Sequence, residues 1–419
     1  MLPRFARLAA FLPGLLVPAA LAFLSPATLA QEPPPARPRL SAGADTNSAA
    51  AYYFLGLDRL RADQFEVAAT AFYWASRLAP DWADPLYGRR VALLLTRPDH
   101  LVAYMEDVES VVESPEVRHL DSLYYQALLL DPFLYTDLEY QVVMHYVTER
   151  ELAELRRQYL RTDVELVRLQ VEDKVRLYLR TPAAAGWRAW LAYAERRMDD
   201  AVKLYAEALK RARNDEHRYR TRLHLQRARS FYLANRRDSA VAELGRAIEE
   251  NRRRDERVLA RLYESKALLE HALGVALESN DDLTGARAAY GRALVEDLAF
   301  YPAHVRLGGL LAAAGDTAGA RAEYELALEV APEAPVVRIL LANHHHGSGD
   351  HRAALTTLEP LLESEPYWAE PYLLRALALD GLGDREGAAA QYGKFLERTE
   401  AADDRRDAVA RRLAALGSP

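Results

Sequence analysis

From about Leu259 onward, apolar positions recur three and four residues apart, with Arg, Glu and Asp between them, which is the spacing of amphipathic helices and not of strands. The pattern is interrupted at short turn clusters, "AAAGDT" around Gly315, "HGSGDH" around Gly349 and "GLGDRE" around Gly383. The predicted elements are therefore helices of three to four turns, joined by tight turns. Earlier in the chain the same spacing is present but less regular, as in "RRMDDAVKLYAEAL", "ANRRDSAVAELGRAI" and "YTDLEYQVVMHYVTERELAELRRQYL". The first thirty residues differ: Arg4 and Arg7 precede an apolar run from Leu8 to Leu24, and "SPATLA" follows it.

The helical pattern has a longer period. Ala286, Ala320, Ala354 and Ala388 follow one another at intervals of 34 residues. Four positions after each come Tyr290, Tyr324, Leu358 and Tyr392, and three further on Ala293, Ala327, Leu361 and Phe395. The unit "YPAHVRLGGLLAAAGDTAGARAEYELALEVAP" carries Leu307-Gly308, Leu311, Gly315, Ala320, Tyr324, Ala327 and Pro332. A second unit, "YYFLGLDRLRADQFEVAATAFYWASRLAP", carries Leu55-Gly56, Ala68, Phe72, Ala75 and Pro80. Both resemble the tetratricopeptide repeat, whose pattern pairs L-G-x-x-Y in helix A with A-x-x-x-F in helix B and closes on Pro. The resemblance implies an all-α, tetratricopeptide-type α-solenoid, a right-handed superhelix of helix pairs. Physically, small residues let helices A and B approach, and the aromatic after the helix B alanine fills the space between them.

This register divides the chain. Residues 1–30 have the three-part layout of a secretory signal peptide, with cleavage expected after Ala30 so that the mature protein begins at Gln31. An uncleaved anchor is the competing reading, against which Pro13 and Pro18 break the apolar run. Residues 31–48 read as a Pro-rich linker, 49–134 as N-terminal repeats, 135–182 as non-repeat helices, 183–266 as degenerate repeats, 267–402 as regular repeats and 403–419 as a capping helix. Ala240 to Ala286 spans 46 residues, which predicts a lengthened helix A across "ERVLARLYESKALLEHALGVALES".

Composition narrows the chemistry. There is no cysteine, so neither disulfides nor a lipidated N-terminal Cys contributes. Net charge is −7, positive charge is almost all Arg, and "RRR" at Arg252–Arg254 is interleaved with Glu249, Glu250, Asp255 and Glu256, so no nucleic-acid surface is indicated. The one cluster that suggests a metal or a catalytic centre is "NHHHGSGDH", with His344, His345, His346 and His351. In the repeat register His345 falls at a packing position at the end of helix A, with His344 and His346 about 100° to either side of it. Only His346 and His351 can meet, across a distorted turn, and no carboxylate or thiolate at ligand spacing completes a site. "ESNDDLTG" and "DGLGDREG" lack the ligand spacing of calcium loops and fall at inter-helix turns. The sequence contains no Walker-type loop, nucleophile elbow, H-E-x-x-H or dinucleotide fingerprint, and no cofactor is expected.

What the resemblance implies about function is a binding groove lined by helices A. In the C-terminal repeats that groove takes in Val305, Gly309 and Ala312, then Val336, Ile339, Asn343 and His346, then Glu370, Leu373, Leu377 and Asp380. Val336, Ile339 and Leu373 are the expected apolar anchors for a peptide segment. The Lys, Arg and Asn of the family's carboxylate clamp are matched here by Asn343 alone, and the clamp is not carried over. The expectation is a non-catalytic scaffold binding a protein or peptide partner in the cell envelope, without a transmembrane span in the mature chain and with peripheral envelope association as an option. The alternative is a metal-binding or catalytic protein using His344–His351 or the middle segment 135–182.

Overall fold

The computed structural model describes residues 34–96, 115–134, 182–214, 216–256 and 265–417. The expected signal peptide and almost all of the expected non-repeat segment lie outside these residues. Every regular element among the described residues is an α-helix. They are α1 Ala49–Arg61, α2 Phe65–Leu78, α3 Ala83–Thr96, α4 Pro115–Leu130, α5 Pro182–Ala194, α6 Met198–Arg211, α7 His217–Leu233, α8 Arg237–Asp255 and α9 Ala267–Glu278. They continue as α10 Leu283–Glu296, α11 Tyr301–Ala313, α12 Thr317–Val330, α13 Pro335–Gly347, α14 His351–Ser364, α15 Glu370–Gly381, α16 Arg385–Arg398 and α17 Arg406–Leu416. None of them is long and apolar enough to cross a membrane. The described residues from Arg37 onward form one compact unit.

Successive helices pack as A/B pairs, and the residues that set the sequence period close each pair. Ala286, Ala320, Ala354 and Ala388 are all buried, as are Tyr290, Tyr324, Leu358 and Tyr392 four positions on. Ala201 with Tyr205, and Ala240 with Leu244, repeat the arrangement in the degenerate pairs. Helix A contributes a glycine against which the helix B ring rests: a Cβ built on Gly308 would lie 2.7 Å from the ring of Tyr324.

The turns explain how the period survives where the sequence is degenerate. The chain enters the left-handed region once per pair, just after helix A, at Gly315, Gly349 and Gly383 with φ near 80° (82°, 81° and 80°). The equivalent positions in other pairs are Asp63, Arg196, Asn235 and Asp281, with φ between 57° and 59°. These non-glycine residues hold the same turn at a steric cost, except that Asn and Asp tolerate it better than Arg. In the regular pairs the next residue is an aspartate that caps helix B. Gly285, Gly319, Ala353 and Gly387 donate backbone N–H bonds to Asp282, Asp316, Asp350 and Asp384 at 2.8, 2.9, 3.1 and 2.9 Å. Each such cap is worth about 1 kcal/mol, and two of them account for Asp282 and Asp384 of the calcium-like stretches.

One expectation changes. The extra residues between Ala240 and Ala286 do not lengthen helix A, since α9 covers only Ala267–Glu278; helix B is the long one, with α8 running to Asp255. Its extension buries Glu250 and Asn251 against α7, which gives the added turn a packing role. Part of the Pro-rich segment docks on the first helix pair. Arg37 lies over the ring of Trp74, 4.4 Å from its centroid, and Leu40 packs with Tyr52, Trp74 and Leu78.

The same segment ties the first pair to the last ones. Trp74 meets Tyr367 edge to face at 4.9 Å, and Arg37 also lies 5.4 Å from the Tyr367 ring. Arg77 pairs with Glu365 at 2.8 Å and donates to the carbonyl of Ser364. Asn47 donates to the Glu397 carbonyl at 2.8 Å, and the Ala401 N–H donates to Asp45. Glu365 is buried with its second carboxylate oxygen unpaired, and this burial, against the opposing field of Arg77, pushes its carboxyl up to about 7.

Candidate functional site

The helix A residues expected to line a groove occupy one set of repeat positions on α11, α13 and α15. Gly309, Ala312 and Asn343 are exposed, and Val305, Val336, Ile339, His346, Glu370, Leu377 and Asp380 are half-buried. Ile339 leans on the cluster of Ala342, Leu358, Leu361, Trp368 and Leu374, so part of its surface is already spoken for. Leu373 is corrected: it is 7% exposed, in a core with Tyr372, Tyr392, Phe395 and Val409, because the capping helix α17 brings Val409 into that cluster. Leu373 is therefore a packing residue and not an anchor. Nearby, Asp380 takes two bonds from Arg412 at 2.6 and 2.7 Å, which hold its carboxyl below the usual range, and Glu370 takes one from Arg405 at 2.7 Å. The acids at this end are neutralised by the cap, which leaves an apolar and weakly polar surface.

The four histidines separate. His345 is buried at its packing position, and burial lowers its pKa. His344 meets the Thr317 carbonyl at 3.0 Å and the edge of Tyr324. His346 and His351 do converge, their Nδ1 atoms 3.2 Å apart, with one nitrogen donating and the other accepting. Both lie within regular helices, so the meeting requires no distortion of the helix end. Burial, and then the neighbouring His351, lowers the His346 pKa. Among the described residues no group of three His, Cys, Asp or Glu side chains is placed to hold a metal ion.

A polar network that the sequence did not suggest joins α7 to α8. Glu243, 1% exposed, accepts from His224 Nδ1 at 2.7 Å and Arg227 Nη1 at 2.8 Å, and also pairs with Arg246. Glu250 accepts from His217 Nδ1 at 2.8 Å and Arg220 Nε at 2.9 Å. Burial pushes both carboxyls up, but the histidine bonds and arginine fields outweigh it and leave each below its ordinary value. Carboxylate–histidine pairs of this kind can serve as general bases. Here both histidines are buried with their acids, so the pairs read as rungs between two helices. In the "RRR" stretch Arg252 and Arg253 are exposed and both paired to Glu249, as expected of a solvated helix end, while the Arg254 side chain is largely buried.

The middle helices A carry a further feature. After α4 the turn Asp131-Pro132-Phe133 leaves its own pair and packs into the core cluster built by α7, α9 and α11. Phe133 stacks on Tyr232 with centroids 3.9 Å apart and planes 7° from parallel, and Arg237 lies 3.7 Å from the Tyr232 centroid on the other face. His271 is buried beside Tyr290 and Phe300. Burial, then the field of Arg306, brings its pKa down to about 3.

Helix pairs of this period, with a small-residue contact, a wedged ring and a left-handed turn in each, define a tetratricopeptide-type α-solenoid, a class whose surfaces bind other chains and host no fixed chemistry. The chain carries tetratricopeptide repeats: a tetratricopeptide-repeat family model matches residues 311–378. No curated protein matches it. Among solved structures it is similar to the C-terminal part of a TPR repeat-containing protein from Cytophaga hutchinsonii, at 17% identity over 55% of this chain and 94% of that one, TM-score 0.42. It is also similar to YrrB, titled a TPR protein with an unusual peptide-binding site, at 16% identity over 50% and 97% of the two chains, TM-score 0.38. A third similar structure is the Cut9–Hcn1 hetero-tetramer of the APC/C, at 12% identity over 88% and 76%, TM-score 0.41.

Proposed function

We propose that this protein is a non-catalytic scaffold of the cell envelope, binding a protein or peptide partner through the helix A faces of its C-terminal repeats. The observation that carries this reading is the surface of α11 and α13, where Val305, Gly309, Ala312, Val336, Ile339, Asn343 and His346 are exposed or half-buried at matching positions. Such a face offers apolar area with a few polar groups, which suits an extended or helical segment. Against catalysis stands the character of the titratable clusters: the α7–α8 pairs are buried, and His346 and His351 spend their facing nitrogens on each other. Export rests on the n-, h- and c-region pattern of residues 1–30.

The test is crosslinking in native envelopes, comparing wild type with Asn343→Arg, Ile339→Glu and the control Glu325→Arg. Partner recovery should fall for the two groove variants and not for Glu325→Arg, with circular dichroism unchanged in all three. A charge placed against a desolvated hot spot costs about 2 kcal/mol or more. Equal recovery from all variants would exclude this face.

A further inference from the structure

The helix A face of the middle repeats is already occupied, and its occupant is part of this chain. Aligned on Ala240, Ala286, Ala320 and Ala354, Arg229 takes the position of Asn343, Tyr232 that of His346, and His271 that of Ile339. These are the positions proposed above to bind a partner. In the middle repeats they meet the end of α4: Phe133 stacks on Tyr232, Leu129 and Phe133 join the core cluster that includes Ala228 and Ala272, and the Leu129 backbone acts on the His271 ring. Asp131, exposed, accepts the N–H of Phe133 at 2.9 Å and lies in the fields of Arg229 and Arg306.

We propose that the Leu129–Phe133 turn is an internal ligand of this face, and that a partner displaces it by presenting the same chemistry, a carboxylate two residues before an aromatic ring at the end of an apolar segment. The proposal rests on the reading that helix A faces bind peptides, and adds the chemistry recognised and a seat that is closed in the free protein. Each element of the recognition is visible. The Tyr232 ring, backed by Arg237, is a platform for any aromatic side chain. Burial raises the Asp131 carboxyl, against the Phe133 N–H bond and the opposing fields of Arg229 from α7 and Arg306 from α11, which favour its charged form.

His271, 1% exposed, is buried against the Leu129 backbone of the turn. Because the turn is tethered, it competes at the high effective concentration of an intramolecular ligand, and the apparent affinity of any partner is lowered by the closed fraction.

The experiment uses the full chain and a labelled peptide with the sequence Ser122–Leu134, followed by fluorescence anisotropy. Wild type should bind the peptide weakly. Phe133→Ala and Asp131→Lys, each of which empties or weakens the internal seat, should bind it at least about tenfold tighter, the factor expected when nine in ten molecules are closed. Binding to these variants should be lost when the peptide itself carries Phe133→Ala, or when Tyr232→Ala is added to the protein. Folding is followed by circular dichroism; should Phe133→Ala fail to fold, Asp131→Lys, a change at an exposed position, decides alone. A folded Asp131→Lys or Phe133→Ala protein that binds the peptide no tighter than wild type overturns the proposal and makes the turn ordinary core. That result would leave the C-terminal face untouched, since its test does not involve Tyr232, and loss of the C-terminal face would leave this one standing.

Discussion

Two glycines in one helix pair provide a test of the packing that defines the repeat. Gly274 lies on α9 and Gly291 on α10. A Cβ on Gly274 would stand 2.3, 2.5 and 2.8 Å from three carbons of the Tyr290 ring, whereas a Cβ on Gly291 meets nothing within 4 Å. Tyr290 cannot retreat cheaply: it is fully buried, and its hydroxyl donates to Glu278 at 2.7 Å. Substitution by alanine gains about 1 kcal/mol of helix propensity at either site. At Gly274 it also incurs an overpacking cost of about 1–3 kcal/mol. Because the propensity gain cancels between them, the difference between Gly274→Ala and Gly291→Ala isolates the clash, and Gly291→Ala should be the more stable by about 1–3 kcal/mol. Urea denaturation of both variants, with hydrogen exchange on α9 and α10 to guard against stepwise unfolding of the stack, measures it. If Gly274→Ala proves as stable as Gly291→Ala, the ring does not rest on helix A, and the account of why the period needs a small residue there fails.

Other outcomes follow from the same structure. Arg196→Gly, at a left-handed turn position held by a side chain that disfavours it, should stabilise the protein by up to about 1 kcal/mol in the same denaturation assay. Glu243→Leu strands His224 and Arg227 and should cost about 3 kcal/mol or more; a loss below about 1 kcal/mol would mean that the network contributes nothing net. Glu365 carries a carboxyl raised to about 7 from 4.5, so its protonated form is favoured by folding. Its contribution is present below pH 4.5 and lost as pH rises to about 7, so Glu365→Gln should become progressively more stable than wild type across that window. Denaturation at pH 5 and pH 8 gives the sign, and the opposite trend would show that the Arg77 pair prevails over burial. Mature protein from the envelope fraction should begin at Gln31 by N-terminal sequencing, and an intact Met1 in a cytoplasmic pool would sink the export reading.

The fold was legible wherever one residue type can satisfy a steric demand. Ala320 against helix A, the Tyr324 ring on Gly308 and the turn at Gly315 each leave a mark in the sequence, and all three recur 34 positions on in some form. In the degenerate pairs the same turn is held by Asn235 or by Arg196, which no turn rule singles out, so the period fades in the sequence while persisting in the backbone. The site was less legible. Leu373 occupies a groove position by register but is buried through Val409, a contact made by the capping helix. The Glu243–His224 and Glu250–His217 pairs join partners 19 and 33 residues apart across a lengthened helix B, where no local spacing rule applies. Phe133 against Tyr232 is further still from anything a periodic pattern can express.

The tie between Arg77 and Glu365 bears on how this chain comes into being as well as on how it stands. A linear stack of repeats can form pair by pair from either end, each pair waiting only for its neighbour. Here the first pair must also find Ser364, Glu365 and Tyr367, and Arg77 and Glu365 are 288 positions apart. At roughly 5–20 residues per second, on the order of 15–60 s separates their synthesis. During that interval Trp74 lacks the Tyr367 ring and Arg77 its acid, so the end of the molecule made first is among the last to be completed, and its exposed aromatic surface is what a chaperone would meet.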